Sequence, residues 1–425
     1  MNQEFDVIVV GAGMVGTALA CGLAQAGLQV ALLEQAEPEP FDPAQAPDLR
    51  VSALSLGSER LLQTLGAWTR IQAMRSCVYR RLAVWEALPG AAGQLLPTAF
   101  NRTEFDARHS GHSHLGHIVE NRVTQWALWT LAGDTPGLTR ICPARLTHLH
   151  HSADAVRAQL ADGRVLQAAL LVGADGAQSR VRELAHIAQH LDQYAQQAMV
   201  ATVAYAGPPM DITWQAFYES GPRAFLPLAD GQGHSWASLV WYDSAERIAQ
   251  LRSLSNDALL AAIQRHFPAP LPTLTALHEH GSFPLAKRHV RQYFQGRVAL
   301  AGDAAHTINP LAGQGVNLGF QDVASLLQQL TRVRQHGQDL ADPRLLEAYQ
   351  RSRRPANQRM IWAMDLFYHG FSNRHLPVRM ARNLALATAA RLPQARARVA
   401  RYAMGIDETL PAPLAWLERQ LDAIL

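Results

Sequence analysis

Residues 296–320, GRVALAGDAAHTINPLAGQGVNLGF, set one carboxylate, Asp303, and one imidazole, His306, in a nearly uncharged run rich in Gly and Ala. A plain core strand needs neither group. A carboxylate that follows a buried strand must find partners, because an uncompensated charge inside protein is costly. The hydroxyl chain at the centre of a cofactor would supply them. His306 could relay a proton from a substrate hydroxyl, or it could be a structural, hydrogen-bonded imidazole. The glycines beyond it let backbone lie against a flat ring. The helix that starts there would aim its positive dipole end at a ring that gains negative charge on reduction. A Gly-rich turn with a helix cap is the simpler alternative for this stretch alone.

A second constellation opens the chain. Gly11-Ala12-Gly13-Met14-Val15-Gly16 follows the apolar strand Asp6-Val-Ile-Val-Val10 and precedes a helix. Gly11 permits a tight turn, Gly13 admits a pyrophosphate, and Gly16 lets helix and strand pack closely. Glu34, about 20 residues on, suits a ribose hydroxyl and would repel the 2′-phosphate of NADP. This motif alone leaves FAD and NAD both open. The 296–320 stretch favours the flavin.

Other chemistry is not visible. There is no nucleophile elbow and no hydrolytic triad. The His-rich loop RHSGHSHLGH carries His109, His112, His114 and His117, flanked by Glu104, Asp106 and Glu120. Imidazoles can recruit zinc or nickel, but this spacing matches no metal motif. The expectation is a solvated loop and no metal site.

The elements that must position these groups can be read in outline. Residues 5–34 read as strand, glycine turn, helix ending at Gly27, and strand Val30–Leu33. Leu61, Leu62 and Leu65 mark a helix closed by Gly66. Asn121–Leu131 reads as a helix, and Val156–Leu160 with ADGRV as a hairpin turning on Asp162-Gly163. From Ala198 to about Tyr242, aromatic and aliphatic segments alternate with Gly, Pro and Asp, as in antiparallel strands of a separate sheet. Residues 315–331 read as helix, and the chain from Leu345 is mainly helical. The fold class expected is α/β: a discontinuous Rossmann-like FAD-binding domain (1–75, 110–195 and 286–335), an inserted, mostly antiparallel β-sheet substrate domain (76–109 and 196–285), and a helical C-terminal region (336–425).

Composition agrees with a large buried core: of 425 residues, 48% are hydrophobic and 17% charged. Three cysteines without a CxxC argue against a disulfide framework and for a reducing compartment. The acidic N-terminus lacks a secretory pattern, and no apolar run is long enough to span a bilayer. A cytoplasmic protein is expected. Between Leu366 and Gly405 there is no acid but seven arginines, from Arg374 to Arg401. This span could be a solvated helical face or a surface drawn to anionic lipid. No nucleic-acid motif accompanies it.

Three stretches, Gly11-x-Gly13-x-x-Gly16, GADGAQSRVR (173–182) and GDAAHTINPLAGQGVN (302–317), resemble in order and spacing the fingerprints of the single-component FAD-dependent aromatic hydroxylases. GPRAFLPL, SLVWYDS and MDLFYHGFSN are similar to the members of ubiquinone biosynthesis. The resemblance implies that Gly11, Gly13 and Gly16 hold the ADP moiety and Glu34 its ribose. Arg50 and Arg122 would meet the flavin side and the phosphates. Asp175 and Gly176 would serve both FAD and the pyridine nucleotide, and Asp303 the ribitol. Pro310 and the backbone of Gly313, Gln314, Gly315 and Asn317 would border the isoalloxazine, making Pro310 and His306 the candidate catalytic residues. It further implies NAD(P)H as co-substrate without a domain of its own, and dioxygen activated as a flavin C4a-hydroperoxide. The substrate implied is a polyprenylated quinol. An anionic membrane surface and a biosynthetic complex are the implied partners. A hydroxylase of small soluble phenols and a non-catalytic flavin scaffold are the alternatives.

Overall fold

The structure, a computed structural model, describes residues 3–87, 102–231, 233–308, 313 and 315–371. Three sheets carry it. The first runs, in spatial order, Phe294–Gln295, Val298–Leu300, Val165–Gly173, Gln3–Val10, Val30–Leu33 and Leu138–Ile141. Its four inner pairings are parallel, and the hairpin strands Leu146–His151 and Val156–Leu160 extend it. Val7–Val10, Val30–Leu33, Leu170–Val172 and Val298–Leu300 are all buried. Such β-branched and aliphatic runs, apolar on both faces, suit a parallel sheet covered on each side. Each such side chain, fully buried, stabilises the fold by roughly 1.5–3 kcal/mol.

Register decides what this sheet does for function. Val10 pairs with Gly173, and Gly173 pairs with Leu300. The turns that begin at Gly11, Ala174 and Ala301 therefore leave the sheet side by side at its carboxyl edge. That edge is where open α/β sheets bind ligands. Three segments separated by more than a hundred residues each are brought to one place.

Five helices among the described residues bear on the site: α1 (Met14–Gln25), α2 (Leu56–Leu65), α3 (Asn121–Asp134), α4 (Gly315–Gln335) and α5 (Pro343–Phe371). α1 is buried from Gly16 to Ala24. α2 is capped at both ends: Ser55 Oγ accepts from the Ser58 N–H, and Gly66 sits left-handed at φ +86°. On α3, Val123, Ala127 and Leu131 face the core, as their spacing requires.

The second sheet is the separate, largely antiparallel one. Its order is His306–Thr307, Leu274–Val290, Gln189–Tyr205, His234–Ser244, Gly221–Gly231, Ile212–Tyr218, Arg81–Glu86 and Thr103–Asp106. The sequence-based junctions at 195/196 and 285/286 fall inside its two long strands. His306–Thr307, expected with the nucleotide-binding segment, pairs with Arg288 and His289 of this sheet. The third sheet is small: Val51–Ser55, Gly116–Glu120 and Cys77–Tyr79. All three cysteines are free thiols. Among the described residues no helix is long and apolar enough to cross a membrane.

Candidate functional site

A cavity of about 1450 Å³ opens at the carboxyl edge of the first sheet and continues under the second. It exceeds the space that one drug-sized ligand takes, so it has room for a dinucleotide and a second molecule. Its first half is lined by Gly11, Gly13, Glu34, Arg50, Arg145, His148, Asp175, Gly176, Arg180, Asp303, Gly313 and Gly315. Every charged residue of the lining is in this half.

The glycine turn has the geometry a pyrophosphate needs. Gly11 has φ +101°, and a Cβ there would meet Ala174 O at 2.5 Å. A Cβ on Gly16 would lie 1.9 Å from Gly11 O. At Gly13, by contrast, nothing lies within 4 Å of the Cβ position, so the backbone over the helix N-terminus is open to a ligand. Glu34 closes the turn from below: its carboxylate accepts from Ala12 N at 2.6 Å and Gln35 N at 2.7 Å.

Asp303 faces the cavity. Among the described residues it has no hydrogen-bond partner. Its carboxyl is pushed up from the usual aspartate range by the surrounding protein, with His306, Arg50 and Arg288 pulling the other way. An unpartnered acceptor open to the cavity fits a polyhydroxyl chain laid along it. Together with the open glycine cradle, this is the fit expected for FAD. Asp175 also lines the cavity, but its oxygens are engaged. They accept from Ser179 Oγ at 2.5 Å, Arg180 N at 2.7 Å and Val181 N at 3.0 Å, capping the short helix Arg180–Leu184. Burial raises its carboxyl as well. Buried Arg182 joins two of the turns, donating to Ala177 O and Ala304 O at 3.0 Å each.

Several expected residues do other work. His306 does not line the cavity. It is 1% exposed, with Nε2 2.5 Å from Asp322 Oδ2. Asp322 also accepts from Gly302 N, Arg353 Nε and Asn357 Nδ2 at 2.9–3.1 Å. Burial opposes charge on Asp322, but His306 and Arg353 outweigh it and hold its carboxyl well below the usual range. This network fixes the turn that carries Asp303, and it places His306 off the cavity wall, as the structural, hydrogen-bonded imidazole among the two readings would be. Arg122 does not line the cavity either: its guanidinium reaches Gln45 Oε1, Ala46 O and Glu120, where the 42–48 loop covers the start of α3. Asn317 points away from the cavity. Its amide binds Ser55 N, Ser58 Oγ and Ala53 O at 2.7–3.0 Å, clasping α4 to the Val51–Ser55 strand and α2. Pro310 and Gln314 lie outside the described residues. The His-rich loop is not uniformly solvated: His114 and His117 converge on Glu59, buried on α2.

The aromatic strands at 214–241 read from the sequence as pocket walls, without the residues that face inward being singled out. Tyr79, Leu82, Phe105, Leu115, Val200, Trp214, Gln215, Leu226, Ser238, Val240, Tyr242 and Phe283 line the second half of the cavity, without a charge among them. Strand alternation explains the selection. Along His234–Ser244, Leu239 and Trp241 pack with Ile248, Leu251, Leu259 and Ile263, while Ser238, Val240 and Tyr242 face the cavity. Ser238 Oγ and Trp214 Nε1 are buried polar atoms without a hydrogen-bond partner among the described residues. Burial raises the phenols of Tyr79 and Tyr242 well above their usual range, so both stay protonated. Asp322 was missed too, although it carried a signal: a lone acid within the apolar stripe Leu318, Leu326 and Leu330 of α4.

A dinucleotide cradle joined to a chamber whose described lining carries no charge defines a flavoprotein with room for a second ligand. The family model described as "FAD binding domain" matches residues 4–363, and the chain belongs to that family. Its relatives include the 3-demethoxyubiquinol 3-hydroxylase of Escherichia coli, 46% identical over 95% of this chain and 100% of that protein. Ubiquinone hydroxylase UbiL of Rhodospirillum rubrum is 34% identical, covering 97% and 92%. The human mitochondrial ubiquinone biosynthesis monooxygenase COQ6 is 32% identical, covering 91% and 89%. With such relatives, the protein is an FAD-dependent monooxygenase. Among solved structures, p-nitrophenol 4-monooxygenase PnpA of Pseudomonas putida shares the fold at TM-score 0.76 and 17% identity, covering 96% of this chain and 100% of that one. The probable FAD-dependent monooxygenase pqsL of Pseudomonas aeruginosa does so at 0.73 and 22%, covering 90% and 99%.

Proposed function

We propose that this enzyme hydroxylates the ring of a polyprenylated benzoquinol in ubiquinone biosynthesis, with NAD(P)H and dioxygen as co-substrates. The ring best matched by its relatives' names and its sequence likeness is 2-octaprenyl-3-methyl-6-methoxy-1,4-benzoquinol or a near analogue. The observation that carries the reading is the uncharged chamber continuous with the dinucleotide cradle. An electron-rich ring with an isoprenoid tail has apolar surface to bury there and few polar groups to satisfy.

Bound FAD supplies the chemistry that the side chains lack, taking electrons from NAD(P)H and activating dioxygen. The chain's own residues bind, orient and exclude water. The turn at Gly11, Gly13 and Gly16 would receive the pyrophosphate, and Glu34 the adenosine ribose. Arg50 and Asp303 would meet the middle of the cofactor, and Gly313 and Gly315 its ring. The Asp175–Gly176 turn would border both FAD and the approaching pyridine nucleotide. Trp214, Leu226, Val240 and Phe283 keep water from the reacting face. Ser238 Oγ and the neutral Tyr242 phenol are hydroxyls available to a quinol oxygen.

The arginine-rich span from 374 to 401 would rest on anionic membrane, where a prenylated substrate resides. A place in a membrane-bound biosynthetic complex follows the same logic. Deleting the gene and identifying the quinone that accumulates by mass spectrometry tests the proposal. A prenylated quinone lacking one ring hydroxyl is expected. Unchanged ubiquinone, with loss of growth on a simple phenol instead, would move the assignment to a soluble-phenol hydroxylase.

A further inference from the structure

Away from the cavity's charged half, three metal-ligating atoms meet without a role in the reaction above. Glu59 Oε2 lies 2.8 Å from His114 Nε2 and 3.2 Å from His117 Nδ1. The three ligand atoms fall within 4.8 Å of one another. Glu59 and His117 have side chains only 9% exposed, and His114 18%. Among the described residues, His117 Nδ1 is a buried nitrogen whose one polar neighbour at the cluster is the Glu59 carboxylate, at 3.2 Å and without a well-formed hydrogen bond. The two imidazoles meet edge to face at 4.7 Å, and the Trp68 ring flanks His117 at 4.8 Å.

An outer shell is already in place. Ser113 Oγ sits 2.8 Å from His114 Nδ1, which leaves Nε2 directed at the cluster. Gln63 Nε2 donates to the far oxygen of Glu59 at 3.0 Å. Such partners fix the orientation of metal ligands. The other acids near the loop are engaged elsewhere: Asp106 with Arg108, Glu104 with Arg102 and Arg81, and Glu120 with Arg75 and Arg122.

We propose that Glu59, His114 and His117 form a site for one divalent transition-metal ion of the zinc class. Two imidazoles and a carboxylate suit such an ion, with a fourth position left for water. Metal–ligand bonds of about 2.1 Å would set neighbouring ligand atoms about 3.4 Å apart. The Glu59 contacts, at 2.8 and 3.2 Å, need to open by about 0.6 and 0.2 Å, and the imidazoles need to draw together. The ion acts as a structural clip. Glu59 belongs to α2, His114 to the loop, and His117 to the strand Gly116–Glu120, which pairs with Leu54 and Val78. Leu115, between the two histidines, and Tyr79, next to Val78 on the partner strand, both line the second half of the cavity. Metal binding would therefore fix one wall of the chamber.

The test uses tag-free, FAD-loaded protein stripped by a chelator, then titrated with zinc by calorimetry and with cobalt(II) by difference absorption. One equivalent of each is expected, with cobalt ligand-field bands in the visible. His114→Ala and Glu59→Gln should each weaken zinc binding by at least about a hundredfold, since removal of an outer partner alone costs 10–100-fold. The double variant His109→Ala/His112→Ala should bind as the parent does. Uptake that is not stoichiometric, or that persists unchanged in His114→Ala and Glu59→Gln, overturns the site. If either variant fails to retain FAD, the parent's cobalt spectrum decides: no ligand-field bands at one equivalent also overturns it.

Discussion

At the scale of single residues, Asp303 and Asn317 divide two kinds of work that their shared motif hides. Both stand in the 302–317 stretch, and both read as cofactor residues. Asn317 spends its amide on Ser55, Ser58 and Ala53 in a fully buried clasp. Asp303 has no hydrogen-bond partner among the described residues and faces the cavity. Asn317→Ala should therefore lower unfolding free energy by about 1–3 kcal/mol, the cost of stranding buried donors and acceptors, while FAD affinity stays within about twofold. Asp303→Ala should do the reverse: little loss of stability, but FAD bound about tenfold or more weaker, as for one lost hydrogen bond to a charged group. Urea titrations of the apoprotein and fluorescence titrations with FAD separate the two. Equal loss of FAD binding in both would return Asn317 to the cofactor site. The sequence announces such residues by type and spacing. It does not reveal which way a side chain turns, and those of His306, Arg122 and Asn317 all turn toward protein rather than into the cavity.

At the scale of elements, the first sheet was legible because its signal is local. A β-branched run, a glycine turn and a capped helix each carry their own pattern, as in Gln3–Val10 followed by α1. The strand Leu138–Ile141 was not legible. Its middle residues, Thr139 and Arg140, are exposed, and only pairing with Val30–Leu33 makes it a strand. The substrate wall was illegible for another reason. Along Ser235–Tyr242 of this strand every residue but Val240 is buried, so period-two burial cannot separate the face on the helices from the face on the cavity. Val240 lies on the cavity face. Val240→Trp should leave FAD content unchanged and lower kcat/KM for a prenylated quinol by at least about tenfold, equivalent to about 1.4 kcal/mol. An unchanged kcat/KM would remove this strand from the substrate wall.

The contact between the long strand Leu274–Val290 and α5 carries a pH dependence. His289 bonds Gln358 and Tyr293. Burial pushes its imidazole down to about 4, with His306 and Arg354 acting in the same direction and Gln358 and Asp322 opposing. The unfolded chain takes up this proton as pH falls below about 6.5, while the folded chain resists until about 4. The unfolded state thus binds more protons in that window, and stability declines as pH falls through it. The contribution is at most about 1.4 kcal/mol per pH unit. His289→Gln should flatten the difference in unfolding free energy between pH 7 and pH 5, measured in urea. The same slope in both proteins would contradict the assignment.

At the scale of the whole molecule, the fold gathers three sequence-distant turns at one sheet edge and sets an uncharged chamber beside them. Composition hinted at the arginine-rich C-terminal span but not at what it rests on. If it rests on membrane, vesicles containing anionic phospholipid should bind the full chain, and binding should weaken with salt over the range in which the Debye length shrinks from about 10 to 3 Å. Equal binding to neutral vesicles would argue against an electrostatic contact.

The central claim is that one cavity holds FAD and, next to it, a prenylated quinol whose ring receives an oxygen atom from dioxygen. FAD-loaded enzyme, NAD(P)H and a short-chain prenylated benzoquinol should be incubated under isotopically labelled dioxygen, and the quinone product examined by mass spectrometry. The account expects one labelled oxygen atom on the ring for each hydroxylation. Rapid NAD(P)H oxidation with no label in the quinone, or label drawn from water, would contradict it.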